Sequence, residues 1–287
     1  MNFSTFSIIA RDPETGQLGV AGGTNWFCYG RWVPHIEADY GVLATQAETN
    51  MWYAPNGIEN FKKGLSAKEN LDDLLERDAD KDGVYQLLLM DNNGNTACHT
   101  GEKNHFYAGH FCETNLVVAG NTLVSEETIK AVANTFKESK ERSLALKMIK
   151  ALQAGQTAGG DIRGMKSASL KIAKGKSSGK YWNDIIYDLR VDESNNPLKE
   201  LERLYYVAKA YSCINEAEST QGIDRSMEFY KKGLELDPNN TEIKFWMARI
   251  YDYQGKKEES NKLREEIRKV NPNWDEYWER MNNKYQQ

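Results

Sequence analysis

The first strand of the chain is predicted in residues 5–12, which read Thr5-Phe6-Ser7-Ile8-Ile9-Ala10-Arg11-Asp12. Successive side chains of a strand point to opposite faces, so Ser7 and Ile9 share one face and the apolar residues around them share the other. Apolar residues on both faces are typical of a strand buried on both sides. The charged pair Arg11-Asp12 ends this strand.

A hairpin is predicted directly after this strand. Turn chemistry is found in Pro13-Glu14-Thr15-Gly16, because proline fixes φ and glycine permits a positive φ. The predicted return strand is residues 18–21. Gly22 and Gly23 follow it, where a β-bulge or the close approach of another backbone is expected.

Short strands and helices make up the next part of the chain. Ser66 begins a predicted helix, and Glu69 completes a capping box three residues later. Strands come early and late and helices lie between them, which predicts an α+β or layered α/β/β/α fold rather than a doubly wound sheet. The other predicted strands are residues 40–47, 86–90, 96–100, 116–119, 167–172 and 185–191. The other predicted helices are residues 54–63 and a segment that runs or restarts between residues 125 and 152.

Length and charge limit the classes of protein to consider. At ~150 residues per domain, a chain of 287 residues predicts two domains, which we place at residues 1–205 and 206–287. The chain has 37 basic and 42 acidic residues and a net charge of -5. A nucleic-acid partner is therefore not expected, because binding phosphates requires a basic surface.

The four cysteines show no metal or disulfide pattern. Cys28, Cys98, Cys112 and Cys213 form no C-x-x-C pair and have no zinc-finger spacing to histidine. Buried free thiols are the expectation for a chain long enough to build a core. Nucleotide-binding glycine motifs and the G-x-S-x-G elbow are absent as well, so no cofactor is expected.

Targeting signals are not evident in the sequence. No apolar run approaches the ~18 residues that span a membrane, so no membrane partner is expected. Residues 1–5 lack a basic n-region and a long apolar segment. As written, the chain is predicted to be cytoplasmic. Had a signal peptide been removed ahead of it, the protein would be periplasmic or secreted.

The C-terminal part has a different, repetitive pattern. Pro238 and Pro272 lie 34 residues apart, each after an Asn or Asp at the end of a helical segment, which is the tetratricopeptide period. Ala248, Tyr251 and Gly255 stand where that repeat prefers a small residue, an aromatic residue and a helix-ending glycine. We predict a short tetratricopeptide-like helical tail, the alternative being an ordinary helical hairpin.

The opening residues 5–12 resemble the start of the bacterial and archaeal family called domain of unknown function 1028. Further blocks of the same resemblance follow in order at residues 19–21, 41–47 with 49–50, 99–101, 108–110, 120–121, 159–164 and 188–192. The resemblance implies the four-layer αββα sandwich of the N-terminal-nucleophile hydrolases. The name of the family states that its activity is not established.

Thr5 is the residue at which the resemblance places a nucleophile. In that superfamily a Thr, Ser or Cys becomes the first residue, and its α-amine, with a pKa of ~7.7–8.0, acts as the general base. Residues 1–4 precede Thr5 here, so catalysis requires cleavage between Ser4 and Thr5. Without that cleavage Thr5 is only a strand residue that has no base.

A glycine-rich turn carries the next candidates. Asp161 and Arg163 lie among Gly159, Gly160 and Gly164, a turn that brings backbone N–H groups and charges close to a ligand. The Arg163 guanidinium could clamp a substrate carboxylate in bidentate fashion, or the two charges could form an ion pair that fixes the turn. Ser167 begins the next strand, where it either supports the nucleophile or caps the turn.

Amide and imidazole side chains complete the candidate set. Gln46 and Asn50, at the end of a predicted strand, offer N–H donors for an oxyanion, or else cap the backbone there. His99 is a candidate base or substrate contact, although a single histidine beside a turn is more often structural. Asn121 either donates to a ligand or adopts a positive φ after Gly120.

Two functions of different classes are compatible with these residues. The first is an amide hydrolase acting on a small-molecule or peptide-like substrate, with Thr5 as nucleophile, Gln46 or Asn50 at the oxyanion, and Asp161, Arg163 and Ser167 organising the site. The second is a non-catalytic ligand-binding or scaffolding protein whose helical tail recruits a partner protein. A homodimer is an additional candidate assembly. A fold resemblance alone does not decide between these functions.

Overall fold

The architecture is that of a computed structural model, which describes residues 2–3, 5–79, 83–104, 107–215 and 220–284. The chain divides into two compact units, Met1–Glu202 and Arg203–Gln287. The first unit is a mixed α+β structure with antiparallel sheets, and the second is helical. None of the helices described has both the length and the apolar character needed to cross a membrane.

The strands and helices are numbered along the chain. The strands are β1 (Asn2–Phe3), β2 (Thr5–Arg11), β3 (Leu18–Thr24), β4 (Pro34–Glu37), β5 (Gly41–Glu48), β6 (Tyr85–Asp91), β7 (Thr96–Thr100), β8 (Tyr107–Glu113), β9 (Leu116–Leu123), β10 (Ser167–Ala173) and β11 (Ile185–Val191). The helices are α1 (Tyr29–Trp32), α2 (Tyr53–Lys62), α3 (Ala67–Glu76), α4 (Glu127–Glu138), α5 (Leu144–Thr157), α6 (Tyr181–Asp184), α7 (Pro197–Asn215), α8 (Thr220–Leu236), α9 (Thr241–Tyr253), α10 (Lys257–Val270) and α11 (Asn273–Lys284).

Two antiparallel sheets form the first unit. Sheet 1 has the order β5-β6-β7, and both β1 and β4 pair with the outer edge of β5. Sheet 2 has the order β11-β10-β3-β2-β9-β8. The hairpin predicted from residues 5–21 lies in the middle of sheet 2 as β2 and β3, which explains why apolar residues occur on both of its faces.

Apolar side chains fill the space between the two sheets. Sheet 2 contributes Ile9, Val20 and Val117, and sheet 1 contributes Val42 and Leu88, all without solvent exposure. Helices α2 and α3 pack on the other face of sheet 1, and α5 packs against β2, β3 and β10 of sheet 2. Each buried aliphatic side chain contributes about 1.5–3 kcal/mol of transfer free energy, so this core dominates the stability of the unit.

Several predictions about local structure can be compared with these elements. The capping box is confirmed, because the Ser66 hydroxyl accepts from the Glu69 N–H and the Glu69 carboxylate accepts from the Ser66 N–H. The helical segment between residues 125 and 152 restarts, and the Ser143 side chain caps the start of α5. Strands β4 and β8 were not predicted. Strand β8 is largely exposed at a sheet edge, so it lacks the apolar alternation that marks a strand.

Gly22 and Gly23 lie inside β3, and one of the two alternatives expected for them is found. The expected bulge is absent from β2 and β3, whose pairing runs from Thr5 opposite Thr24 to Arg11 opposite Leu18 without a register shift. The close approach is confirmed. A Cβ atom at Gly22 would lie 2.4 Å from the Tyr29 hydroxyl and 2.6 Å from the Phe6 carbonyl oxygen. Glycine is required here because a neighbouring phenol occupies the space of a side chain.

Helices form the second unit. Helices α8 and α10 each end two residues before a proline, Pro238 and Pro272 respectively. Asn240 caps the start of α9, and Gly255, with φ of 76°, forms the turn between α9 and α10. Phe245 and Trp278 are buried where α9, α10 and α11 pack together. The assignment of these helices to the tetratricopeptide type stays a prediction.

Candidate functional site

A row of four polar side chains crosses sheet 2 at the end where β2 begins. Ser167 lies opposite Thr24, Thr24 opposite Thr5, and Thr5 opposite Asn121. Directly opposed residues of an antiparallel sheet share a face, so the four side chains are neighbours. None is more than 2% exposed. We call this set the polar row. Four buried polar side chains side by side are unusual for a sheet core and point to a role beyond packing.

The next position along β2 shows which face the polar row occupies. Ser7 shares a face with Thr5, and its hydroxyl donates to Gln46 Oε1 of β5 in sheet 1 at 2.5 Å. The Tyr29 hydroxyl lies 2.8 Å from Ser7 Oγ and can donate to it, since the Ser7 proton is used on Gln46. The polar row therefore faces the space between the two sheets. Burial raises the pKa of Tyr29, which keeps its phenol protonated as this bond requires.

Gln86 of β6 joins the two sheets. Its Oε1 accepts from Gln46 Nε2 at 2.7 Å and from Asn121 Nδ2 at 3.1 Å. Its Nε2 donates to Thr100 Oγ1 at 3.0 Å and to the Gly120 carbonyl oxygen at 2.8 Å. The network thus runs from Ser7 through two glutamines to the Asn121 side chain beside Thr5. Buried polar groups that are connected in this way fix one register of the two sheets.

Thr5 differs from its neighbours in the network. Its side chain is 0% exposed, and its hydroxyl has no hydrogen-bond partner in the part of the chain that the structure describes. An unsatisfied buried hydroxyl costs about 1–3 kcal/mol, so such a group calls for an explanation in function. Immediately before it, β1 pairs with β5 through Asn2 opposite Glu48 and Phe3 opposite Ala47. The chain therefore passes from sheet 1 to sheet 2 at this residue.

The glycine-rich turn closes the same end of sheet 2. Asp161 bridges Leu123 at the end of β9, and its carboxylate accepts from the Asn25 N–H at 3.1 Å and the Arg163 N–H at 2.9 Å. The Asp161 side chain is 0% exposed, whereas that of Arg163 is 39% exposed. The guanidinium donates from Nε to Asp161 Oδ1 and from Nη2 to Asp161 Oδ2, each at 3.4 Å, so both bonds are weak. Asp161 therefore holds three segments together, and the Arg163 side chain remains partly exposed beside it.

The structure does not bring every candidate into the polar row. The Asn50 side chain accepts from the Trp52 N–H at 3.1 Å and so caps the turn before α2. His99 alternates with Thr100 along β7, and Thr100 bonds Gln86, so His99 points to the opposite face, together with Ala97. The positive φ expected at Asn121 belongs to the next residue, Thr122, with φ of 52°.

Ser167 and Gln46 lie at the site but are already hydrogen bonded. Ser167 Oγ donates to the Trp26 carbonyl oxygen at 2.6 Å and accepts from the Tyr29 N–H at 2.9 Å, which fastens the loop after β3. Gln46 Nε2, besides its bond to Gln86, lies 3.5 Å from the Thr5 carbonyl oxygen. Both side chains therefore stabilise the backbone around Thr5.

Four residues of the site were missed as candidates: Ser7, Thr24, Tyr29 and Gln86. One signal in the sequence could have found the first of these, because Thr5 and Ser7 are polar residues two apart in an otherwise apolar strand and must share a face. Ser167 and Ser169 repeat the pattern in β10. Tyr29 carries no such signal, since it reaches the site from a short helix. No cluster able to hold a metal ion occurs among the residues described.

Two facing antiparallel sheets with a polar row at one end define an α+β protein whose candidate site lies between the sheets at the start of β2. The chain belongs to the family of unknown function DUF1028, whose family model matches residues 5–201. The crystal structure of protein SPO2555 from Silicibacter pomeroyi, a DUF1028 protein, is similar with a TM-score of 0.65 and 27% identity, covering 72% of this chain and 89% of that one. No curated protein matches the chain.

Proposed function

We propose that this protein is an amide hydrolase of the N-terminal-nucleophile type, with Thr5 as the nucleophile. The observation that carries the proposal is the Thr5 hydroxyl, which is buried, has no partner in the described structure, and lies within the polar row between the sheets. A hydroxyl held without a partner is available to a reacting carbonyl. The layering of helices and two sheets in the first unit supports an αββα sandwich of this type.

Thr5 and the side chains around it have different roles in such a reaction. Thr5 Oγ1 attacks the amide carbonyl, and the α-amine of Thr5 accepts its proton and later donates it to the leaving nitrogen. We assign the oxyanion contact to Asn121 because it lies directly opposite Thr5, whereas the Asn50 side chain caps the turn before α2. Like Gln46, Asn121 also donates to Gln86 Oε1, at 3.1 Å, so this bond must weaken or be shared when the oxyanion forms. Ser167 positions the loop after β3.

The substrate proposed is a small-molecule or peptide-like amide that carries a carboxylate. Arg163 supports this choice, because its side chain is 39% exposed and the two bonds that its guanidinium makes to Asp161 are both weak, at 3.4 Å. An arginine with free donors binds a carboxylate in bidentate fashion. Asp161 keeps the turn that presents Arg163, through its bonds to the backbones of Asn25 and Arg163 itself. His99 lies on the other face of sheet 1 and has no role in this proposal.

Activity requires a change at the N-terminus of β2. The nitrogen of Thr5 is part of a peptide bond in the 287-residue chain, and the side chain is 0% exposed. Cleavage between Ser4 and Thr5 creates the amine. It also separates β1, which pairs with β5, from the rest of the chain.

The burial of Thr5 also supports the second candidate, a non-catalytic binding or scaffolding protein. A peptide-bonded, inaccessible threonine performs no chemistry. In this alternative the helical unit recruits a partner protein, and the 34-residue spacing of Pro238 and Pro272 favours a tetratricopeptide-like surface for it. For both candidate functions, a homodimer is the assembly that we propose to test.

The experiment compares two forms of the protein against a panel of small amides and short peptides. One is residues 5–287 released from a tag so that Thr5 is the first residue, and the other is the full chain, with intact mass confirming both N-termini. We expect turnover from the first alone, rising as pH passes ~7.7–8.0, where the α-amine loses its proton.

Two substitutions in the shorter form serve as matched tests. Thr5→Ala should abolish turnover, whereas Thr45→Ala should retain it. Thr45 is an equally buried hydroxyl without a partner in the described structure, but it alternates with Gln46 and so lies on the far face of sheet 1. Equal activity of the two N-terminal forms would remove Thr5 from the mechanism, and inactivity of both would favour the binding protein.

A further inference from the structure

Two cysteines lie on facing edge strands at one side of the sheets. Cys98 is in β7, the last strand of sheet 1, and Cys112 is in β8, the last strand of sheet 2. Thr96, Cys98 and Thr100 share one face of β7 because they alternate. His110 and Cys112 share one face of β8 for the same reason. The two faces are turned toward each other, as the contacts between them show.

Two hydrogen bonds between β7 and β8 fix the position of Cys98. The Cys112 Sγ donates to Thr96 Oγ1 at 3.3 Å, and Thr100 Oγ1 lies 2.9 Å from His110 Nδ1. Cys98 stands between the two threonines along β7, so it is opposite the Cys112 end of β8. Each thiol shifts the pKa of the other, which agrees with this placement. Cys98 and Cys112 are therefore neighbours across the two strands, and both are reduced.

The two thiols differ in access and in acidity. Cys112 is exposed, and Cys98 is partly buried. The neighbouring Cys98 thiol lowers the pKa of Cys112, while the neighbouring Cys112 thiol together with burial raises the pKa of Cys98. An exposed thiol of lowered pKa attacks first, and a shielded neighbour of raised pKa resolves the product. Cys28 lacks these properties, because it is 8% exposed and its pKa is raised by burial and by Asp192.

We propose that Cys98 and Cys112 form a redox-active dithiol site whose substrates are low-molecular-weight disulfides. The Cys112 thiolate attacks one sulfur of the small disulfide, forms a mixed disulfide and releases one small thiol. Cys98 then loses its proton and attacks the Cys112 sulfur, which releases the second small thiol. The protein gains one disulfide, and the small disulfide takes up the two electrons and the two protons.

The disulfide would join the edges of the two sheets. Strands β7 and β8 belong to different sheets, and no strand pairing connects them. A covalent bond there closes a short chain segment between residues 98 and 112 and restricts the unfolded chain. For a loop of this length and a unit of this size, the midpoint of thermal unfolding should rise by roughly 5–10 °C.

The test uses the full chain and glutathione disulfide as the probe. Folded protein is incubated with it, free thiols are blocked with N-ethylmaleimide, and peptides are mapped by mass spectrometry. We expect a Cys98–Cys112 disulfide, loss of two alkylatable thiols and the rise in melting temperature. Cys28→Ser should give the same disulfide and is the matched control.

Two variants separate the roles of the thiols. Cys98→Ser should stop at a mixed disulfide in which Cys112 carries one glutathione, and Cys112→Ser should remain largely unmodified at Cys98. Wild-type protein in which both thiols stay alkylatable after prolonged incubation would overturn the proposal. So would a disulfide that involves Cys28 or Cys213 instead. The readout does not depend on hydrolase activity, so the proposed function can fail without affecting it.

Discussion

Replacing Gln86 by leucine tests how much the network between the sheets contributes to folding. The substitution removes the Oε1 atom that accepts from Gln46 Nε2 at 2.7 Å and from Asn121 Nδ2 at 3.1 Å. After it, Gln46 Nε2 keeps contacts of 3.5 Å to the Thr5 carbonyl oxygen and 3.4 Å to that of Ala119. Both are too long to replace the lost bond fully.

The magnitude follows from two buried donors that each lose an acceptor. Each loss costs about 1–3 kcal/mol, and the added apolar surface of leucine returns about 1–2 kcal/mol in a site that is 0% exposed. The net loss should be about 1–4 kcal/mol. For a unit of this size that lowers the melting temperature by roughly 3–15 °C. Gln86 should thus be among the more sensitive polar positions of the chain.

The assay is urea unfolding followed by circular dichroism and tryptophan fluorescence, with thermal unfolding as a second measure. Gln17→Leu is the matched control, since Gln17 is only half-buried in the hairpin turn and its hydrogen bonds in the structure are made by its backbone. It should change stability by less than about 0.5 kcal/mol. A Gln86→Leu protein as stable as the Gln17→Leu protein would refute the reasoning, because the network would then contribute nothing net.

Three further outcomes are expected. Thr5→Val should leave the stability of the full chain unchanged or raise it by about 1 kcal/mol, because a methyl group replaces a buried hydroxyl that has no partner in the described structure. Urea unfolding measures this change. A loss above about 1 kcal/mol would mean that the hydroxyl is hydrogen bonded. Gly22→Ala should destabilise the chain by about 2 kcal/mol or more in urea unfolding, because the new Cβ would lie 2.4 Å from the Tyr29 hydroxyl. Gly109→Ala is the control and should be tolerated, because its Cβ would lie 3.1 Å from the Tyr107 hydroxyl. Arg163→Ala should keep the fold and weaken binding of an anionic substrate by about 1.5–3 kcal/mol in calorimetric titration; unfolding of this variant would show that Arg163 is structural.

Local chemistry was sufficient to predict most elements of the first unit. Residues 185–191 were predicted as a strand and form β11 over the same residues. The capping box at Ser66 formed as its spacing predicted, since both of its bonds lie within one helical turn. Such features need no distant contacts. The exposed edge strand β8 was missed because its residues face solvent and lack the apolar alternation on which strand prediction depends.

The candidate site shows where sequence reasoning stops. The sequence alone determined the family, the position of Thr5 at the start of β2 and the glycine-rich turn with Asp161 and Arg163. Only the tertiary structure decided that Asn121 lies opposite Thr5 and that Gln86 hydrogen bonds to both sheets. It also decided that the Asn50 side chain accepts from the Trp52 N–H and does not lie at the site. Alternation along a strand fixes which residues share a face, but the partner across the sheet depends on register, and the partner on the facing sheet depends on packing. The register of the strands and the packing of the two sheets depend on the whole apolar core, so neither can be predicted from a short segment of the sequence.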